Sequence, residues 1–172
     1  MNRQKETLQK IVDPLLAWYE RNARGLPWRR DKDPYHVWVS EIMLQQTRVE
    51  TVVPYYERFI KELPTIRSLA CAPEEKLLKL WEGLGYYVRV RNMQKAAVQI
   101  CERYNGVFPE KFEAIRSLPG IGDYTAGAIA SIAFEQPAPA VDGNVLRVVA
   151  RLTGSQTDIK SPALKAQIAA DL

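Results

Sequence analysis

Apolar residues recur along this chain at the three- and four-residue spacing of helices. No stretch alternates between turn signals for long enough to make a strand. The first run, Leu8, Ile11, Leu15, Leu16, Trp18 and Tyr19, predicts a helix that Pro14 either kinks or restarts with Asp13 as cap. A loop from Gly25 to Asp33 follows. Asp33-Pro34 supplies a cap and a first-turn proline for a helix through Gln45. Thr47 is expected to cap the next helix, which reaches about Leu63 despite Pro54. Short helices are expected at Thr65–Cys71 and Pro73–Leu80. A glycine turn, Gly83-Leu84-Gly85-Tyr86-Tyr87, then leads into a longer helix from Arg89 to Tyr104, stopped by Asn105-Gly106. Pro109 to Ser117 runs into a second turn, Leu118-Pro119-Gly120-Ile121-Gly122. The helix after it, Asp123 to Phe134, carries Ala126, Gly127, Ala128 and Ala130 and is expected to be buried. Pro137-Ala138-Pro139 forces an extended link before helices from Gly143 to Leu152 and from Ser161. The pattern predicts an all-α fold with two lobes, residues 30–134 in one and residues 1–29 with 135–172 in the other.

Composition narrows the function classes. The 172 residues are 47% hydrophobic, ordinary for a globular protein, with no apolar run of membrane-spanning length. The start, Met1 to Lys10, is polar and charged and reads as no signal peptide. A net charge of +4, from 24 basic and 20 acidic residues, permits nucleic-acid binding but requires any contact to be local. One histidine and two cysteines build no metal-ligand spacing. Cys71 and Cys101 are expected as a reduced pair in a cytoplasmic protein rather than as a disulfide. His36, in the first turn of a helix, is expected to be solvated or to cap. Chemistry therefore falls to carboxylates, tyrosines and backbone.

Two carboxylates stand out. In the Leu118–Gly122 turn, Pro119 fixes one backbone angle, and Gly120 and Gly122 allow conformations a side chain would forbid. Such a turn aims consecutive N–H groups outward at the start of a helix, which suits one phosphate of a nucleic-acid backbone. It also serves simply to end one helix and begin the next. Asp142 arrives after the following helix and link, where it can face what the hairpin holds; equally, it can act only as the cap of the helix from Gly143. Glu41 has Val37, Trp38 and Leu44 as its helical neighbours. That setting favours its neutral form and raises its pKa, while the helix N-terminus at Asp142 favours the anion. One acid and one carboxylate held apart in this way is the division of labour of glycoside cleavage. A structural glutamate bonded to a nearby loop is the alternative for Glu41.

The runs Leu26-Pro27-Trp28-Arg29, Val37 through Thr47, Trp81 through Tyr87, Leu118 through Gly122 and Val141 through Val145 together resemble the adenine DNA glycosylases of the MutY type. These belong to the helix-hairpin-helix superfamily that includes endonuclease III. The resemblance covers about Leu15 to Leu152. It implies a two-lobed helix-hairpin-helix glycosylase fold, a monomer, and release of adenine mispaired with 8-oxoguanine or guanine from double-stranded DNA, the adenine being flipped out of the helix. It makes Glu41 the catalytic acid, Asp142 the carboxylate that stabilises the charged sugar, and Tyr124 and Asn144 supports for that carboxylate and the sugar. It assigns Trp28, Arg29, Leu44 and Val49 to the adenine pocket, and Gln46 and Tyr86 to the gap left in the duplex. Gly120 and Gly122 fall to the phosphate contact, and the carbonyls of Arg116, Leu118 and Ile121 to a monovalent cation. Bifunctional relatives carry a lysine where Tyr124 stands, so a glycosylase without an efficient lyase step is expected.

The resemblance also implies a continuation into four closely spaced cysteines holding a [4Fe-4S] cluster, and a further domain beyond. Cys71 and Cys101 do not match that cysteine motif, and the chain is expected to be the N-terminal portion of a longer protein. Two other readings compete: a bifunctional endonuclease III-like glycosylase and lyase, and a helix-hairpin-helix DNA-binding module without catalysis.

Overall fold

A helix that is apolar on most of its faces belongs inside, and two of the described helices are of this kind. The first is α2 (Pro34–Leu44), which buries Tyr35, Val37, Trp38, Val39, Ser40, Ile42 and Met43. The second is α8 (Asp123–Phe134), which buries Thr125 through Ala130. The small residues of α8 let it lie against α2. The computed structural model that shows this describes residues 3–172; Met1 and Asn2, at the start of the polar N-terminal stretch, lie outside the described residues.

The chain divides into two compact units. One is Leu26–Ala138; the other is the chain up to Gly25 together with Pro139–Leu172. Among the described residues every regular element is helical, and none is long and apolar enough to cross a membrane.

In Leu26–Ala138, a 3-10 turn (Pro27–Arg29) precedes α2, and α3 (Val49–Glu62), α4 (Ile66–Ala70), α5 (Glu74–Trp81), α6 (Val88–Tyr104) and α7 (Phe112–Arg116) separate α2 from α8. The Asp33 side chain caps α2 by accepting from Tyr35 N–H at 2.8 Å. Thr65 and Ser68 form a reciprocal capping box on α4. Asn105 ends α6 in the left-handed conformation at φ 54°, and Arg67 Nη2 donates to its carbonyl at 2.7 Å. Around α2 and α8 the core gathers Trp38, Phe59, Trp81, Ile100, Ile115 and Ile129, all inaccessible to solvent. Tyr35 Oη donates to the Leu63 carbonyl at 2.7 Å, fixing the end of α3 to the start of α2.

Thr47 does not cap α3. The helix begins one residue later, with Arg48 at the N-cap and no side-chain cap bond. Thr47 instead closes a turn, its N–H donating to Leu44 O at 3.3 Å, because Gln46 takes a left-handed φ of 61°.

The other unit consists of α1 (Arg3–Asn22), α9 (Gly143–Thr153) and α10 (Pro162–Asp171). α1 runs unbroken through Pro14, so Asp13 starts no second helix. Its core is small: Leu8, Val141, Leu146, Val149, Leu164 and Ile168. On α1, Leu15, Leu16 and Trp18 are each 55% exposed. Leu15 and Leu16 flank an apolar groove of about 690 Å³ that α9 and Leu172 also line.

Candidate active site

Glu41 sits on α2, one turn before Leu44 and one turn after Val37 and Trp38. Val37 and Trp38 are buried, whereas Glu41 and Leu44 are half-buried. The helix therefore presents its one carboxylate at the edge of the core, not on an open solvated face. Next to it the 3-10 turn buries Trp28, whose ring meets Tyr56 edge-on at 5.3 Å between centroids. Arg29 is exposed; Leu44 and Val49 are half-buried and pack on the core. The 3-10 turn touches both α2 and α3. Thus Trp28, Leu44 and Val49, singled out for one pocket, come from elements that pack together. Tyr56, against the Trp28 ring, and Tyr35 have phenol pKa values raised above the ordinary range, chiefly by burial and further by neighbouring charges, Asp33 among them. His36 is half-buried, its Nδ1 at 3.0 Å from an Asp31 carboxylate oxygen.

The hairpin joins α7 to α8. Leu118 O accepts from Ile121 N–H at 3.1 Å, and Gly120 turns the chain at φ +79°. A Cβ on Gly120 would lie 2.8 Å from Asn92 Cβ, so both space and backbone require glycine there. Gly122 departs from expectation: its φ of −98° is open to any residue, and nothing lies within 4 Å of a Cβ built on it. What Gly122 contributes is clearance. It stands at the N-cap of α8 without a side-chain cap bond, leaving the approach to the first-turn N–H groups open. Asp123, in that first turn, would repel an anion, but Arg116 pairs with it. Tyr124, half-buried, follows on α8, the helix that packs on α2.

Gln46 and Tyr86 are both exposed, Tyr86 to 65%. Both have left-handed backbones, Gln46 at φ 61° and Tyr86 at φ 45°. Non-glycine residues in such conformations cost on the order of 1–3 kcal/mol each and persist only where the surroundings hold them. Gly83, before Tyr86, has φ +102°, and a Cβ there would lie 2.1 Å from Tyr55 Oη.

Asp142 caps α9. Its Oδ1 accepts from Asn144 N–H at 2.9 Å and Val145 N–H at 2.8 Å, and its Oδ2 from Asn144 Nδ2 at 2.9 Å. Asn144 Oδ1 in turn accepts from Arg147 at 3.1 Å. The carboxylate is thus held in one orientation by local bonds and is half-buried. It remains an acceptor on a helix N-terminus, suited to opposing a developing cation.

The donor chemistry does not fit an iron–sulfur cluster. Two thiols, on exposed Cys71 and half-buried Cys101, cannot supply four thiolates. No group of three or more His, Cys, Asp or Glu among the described residues is placed to hold a metal ion.

One residue that reasoning from the sequence missed is Arg89. Its guanidinium donates to five backbone carbonyls, two at the end of α2 and three in the Gln46 and Tyr86 turns. A cation in the first turn of a helix opposes the helix dipole, and that misplacement was the available signal.

The profile of the family described as "HhH-GPD superfamily base excision DNA repair protein" matches residues 39–170. Rat adenine DNA glycosylase is 48% identical over 153 residues, covering 84% of this chain and 30% of the rat protein. The adenine DNA glycosylase of Buchnera aphidicola from Baizongia pistaciae is 49% identical, covering 80% of this chain and 39% of its own length. That of Mycobacterium tuberculosis is 40% identical, covering 87% and 50%. The chain thus spans half or less of the length of these relatives. Among solved structures, a thermostable thymine-DNA glycosylase superposes with a TM-score of 0.85 at 24% identity, over 99% of this chain and 80% of that one. A trapped covalent intermediate of endonuclease III with DNA superposes with a TM-score of 0.81 at 26% identity, over 98% of this chain and 76% of that one.

Proposed function

Because the chain belongs to the HhH-GPD superfamily of base excision DNA repair proteins, we propose that it carries the base-release machinery of an adenine DNA glycosylase. It hydrolyses the N-glycosidic bond of adenine mispaired with 8-oxoguanine or guanine. It acts as a monomer on double-stranded DNA with the adenine flipped out. The observation that carries this reading is Glu41: the one carboxyl of α2, half-buried at the edge of the core, on a helix packed with the elements that carry Trp28, Leu44 and Val49, in a chain 40–49% identical to proteins named adenine DNA glycosylase.

In this reading Trp28, Arg29, Leu44 and Val49 enclose the flipped adenine. Glu41 donates its proton to the base. The glycosidic electron pair leaves with the adenine, and the sugar becomes an oxocarbenium ion. Asp142, oriented by Asn144, opposes that charge; Tyr124 supports the sugar side. The Glu41 carboxylate then takes a proton from water as the water adds to the sugar carbon, which restores the acid. Gln46 and Tyr86 fill the place the adenine has left. The N–H groups from Gly120 to Tyr124 hold a backbone phosphate, and a monovalent cation on the carbonyls of Arg116, Leu118 and Ile121 braces the turn. Two unpaired thiols suit a reducing, cytoplasmic setting. Tyr124 has no amine with which to form a Schiff base, so no strand cleavage accompanies base release.

Single-turnover cleavage of an A:8-oxoguanine duplex by the active enzyme tests the reading. Glu41→Gln should slow base release by roughly 10²–10⁴-fold with duplex binding unchanged, because an amide delivers no proton. Near-normal cleavage by that variant at saturating enzyme would remove Glu41 from the chemistry. Borohydride trapping of a covalent adduct would favour the lyase reading instead.

A further inference from the structure

Arg89 belongs to α6, yet none of the five hydrogen bonds of its guanidinium is made within that helix. Nη1 donates to Ile42 O at 2.9 Å, Met43 O at 3.3 Å and Gln45 O at 2.6 Å. Nη2 donates to Leu84 O at 2.9 Å and Gly85 O at 3.2 Å. Two of these acceptors are decisive. The Gln45 carbonyl belongs to the peptide group that joins Gln45 to Gln46, and the Gly85 carbonyl to the one that joins Gly85 to Tyr86. Each prong therefore holds the peptide immediately before a left-handed, exposed side chain.

The surroundings make the clamp stiff. The guanidinium carbon lies 5.3 Å from the centroid of the Trp81 ring and 5.8 Å from that of Tyr86. Trp81 Nε1 adds a bond to the same Gly85 carbonyl at 3.0 Å. Burial works against the charge and pulls the guanidinium pKa below its ordinary value. The C-terminal carbonyls of α2 favour the charge, since that end of a helix attracts a cation. The sites that gain are thus the two turns, at the expense of the helix Arg89 stands on.

We propose that Arg89 is the positioning residue that locks the Gln46 and Tyr86 turns to each other, so that the two side chains enter the duplex as one rigid wedge. This deepens the reading given above and rests on it for the duplex; the locking itself does not. A planar fork is required, because one prong serves each turn. A lysine keeps the charge but has a single ammonium, which can serve one turn well and not both.

The test has two readouts on wild type, Arg89→Met and Arg89→Lys. The first is hydrogen exchange followed by mass spectrometry. In Arg89→Met, segments covering 45–47 and 83–87 should both exchange at least tenfold faster, while α4 and α7 keep wild-type rates. In Arg89→Lys one of the two turns should loosen more than the other. This second variant keeps the test decisive if the methionine protein does not fold. No change in either turn of Arg89→Met, or wild-type exchange in both turns of Arg89→Lys, overturns the proposal.

The second readout is the fluorescence of 2-aminopurine placed beside the mispaired adenine, which rises as the duplex opens. Arg89→Met should lower the rise as far as the Gln46→Ala/Tyr86→Ala double variant does. Adding it to that double variant should change nothing further. Additive losses would mean that Arg89 acts by another route, and overturn the proposal. A normal rise in the double variant would overturn the wedge reading itself and leave the exchange experiment to judge the lock.

Discussion

In Leu26–Ala138 the large apolar side chains Trp38, Phe59 and Trp81 are wholly inaccessible; in the other unit Trp18, Leu15 and Leu16 stand more than half exposed. The two units hold their functional candidates by correspondingly different means. Glu41, Trp28, Leu44 and Val49 are placed by packing, on elements that close over a shared core. Asp142 is placed by three short hydrogen bonds from its own helix start, which need almost no core. A residue that must shape a pocket depends on burial from several directions. A carboxylate that must only point one way does not.

The largest effect should come from emptying the larger core. Phe59→Ala removes a ring that packs edge-on against Trp81 at 6.1 Å. It should cost about 3–5 kcal/mol in urea denaturation, since neighbours this tightly packed cannot collapse into the space. A cost near 1 kcal/mol would erase the distinction between the units. Leu146→Ala makes the matching change in the smaller core. It should cost about 2 kcal/mol, the low end for such a truncation, because α1 and α9 already border an open groove and can settle inward. Hydrogen exchange at the α9 amides reads it locally. A loss as large as that of Phe59→Ala would show the smaller core to be just as tightly packed.

The same contrast explains what could be read from the sequence. Burial of α8 followed from its small apolar residues, and the Asp33 and Asp142 caps and the Asn105 stop from local chemistry. The half-buried setting of Glu41 followed from Val37, Trp38 and Leu44 on its helix face. Thr47 was misread as a cap because the turn before it is imposed from outside. Arg89, far along the chain, holds the Gln45 carbonyl and with it the left-handed Gln46. No local propensity reports such a bond. Gly122 was misread as a conformational requirement because a glycine in a turn does not say whether it serves angle or clearance. The exposed apolar face of α1 was invisible for a third reason: spacing gives a helix a stripe but does not say whether anything covers it.

Tyr35→Phe probes the hydrogen bond that ties α2 to the end of α3 in the well-packed unit. At neutral pH it should cost about 0.5–1.5 kcal/mol, the usual net worth of one such bond. The pH dependence has a definite sign. Burial raises the Tyr35 pKa in the folded protein, with the charges of Tyr56 and Asp33 adding to it. The fold therefore prefers the neutral phenol, and its stabilisation is complete below the ordinary tyrosine pKa of about 10. Above that pH the unfolded chain ionises first and the stabilisation drains away. The gap between wild type and Tyr35→Phe should narrow there, with Tyr56 leaving a residual slope of the same sign. A gap that widens above pH 10 would contradict the burial argument.

The smallest effect should come from the exposed apolar side chains of α1, which is the sharpest form of the comparison. Leu16 lies on α1 with 55% of its surface in water, so truncation or polar replacement removes little that folding had buried. Glutamine is nearly as good a helix former as leucine, so α1 itself should be indifferent to the exchange. Leu16→Gln should therefore shift stability by no more than about 0.5 kcal/mol, the range of ordinary surface substitutions. The same exchange at Leu69, which is inaccessible in the other unit, would bury an unpartnered amide and cost several-fold more. Paired urea titrations of Leu16→Gln and Leu69→Gln measure the difference directly. If Leu16→Gln costs as much as Leu69→Gln, the α1 face is covered in solution, and the contrast between a closed core and an open one does not describe the molecule.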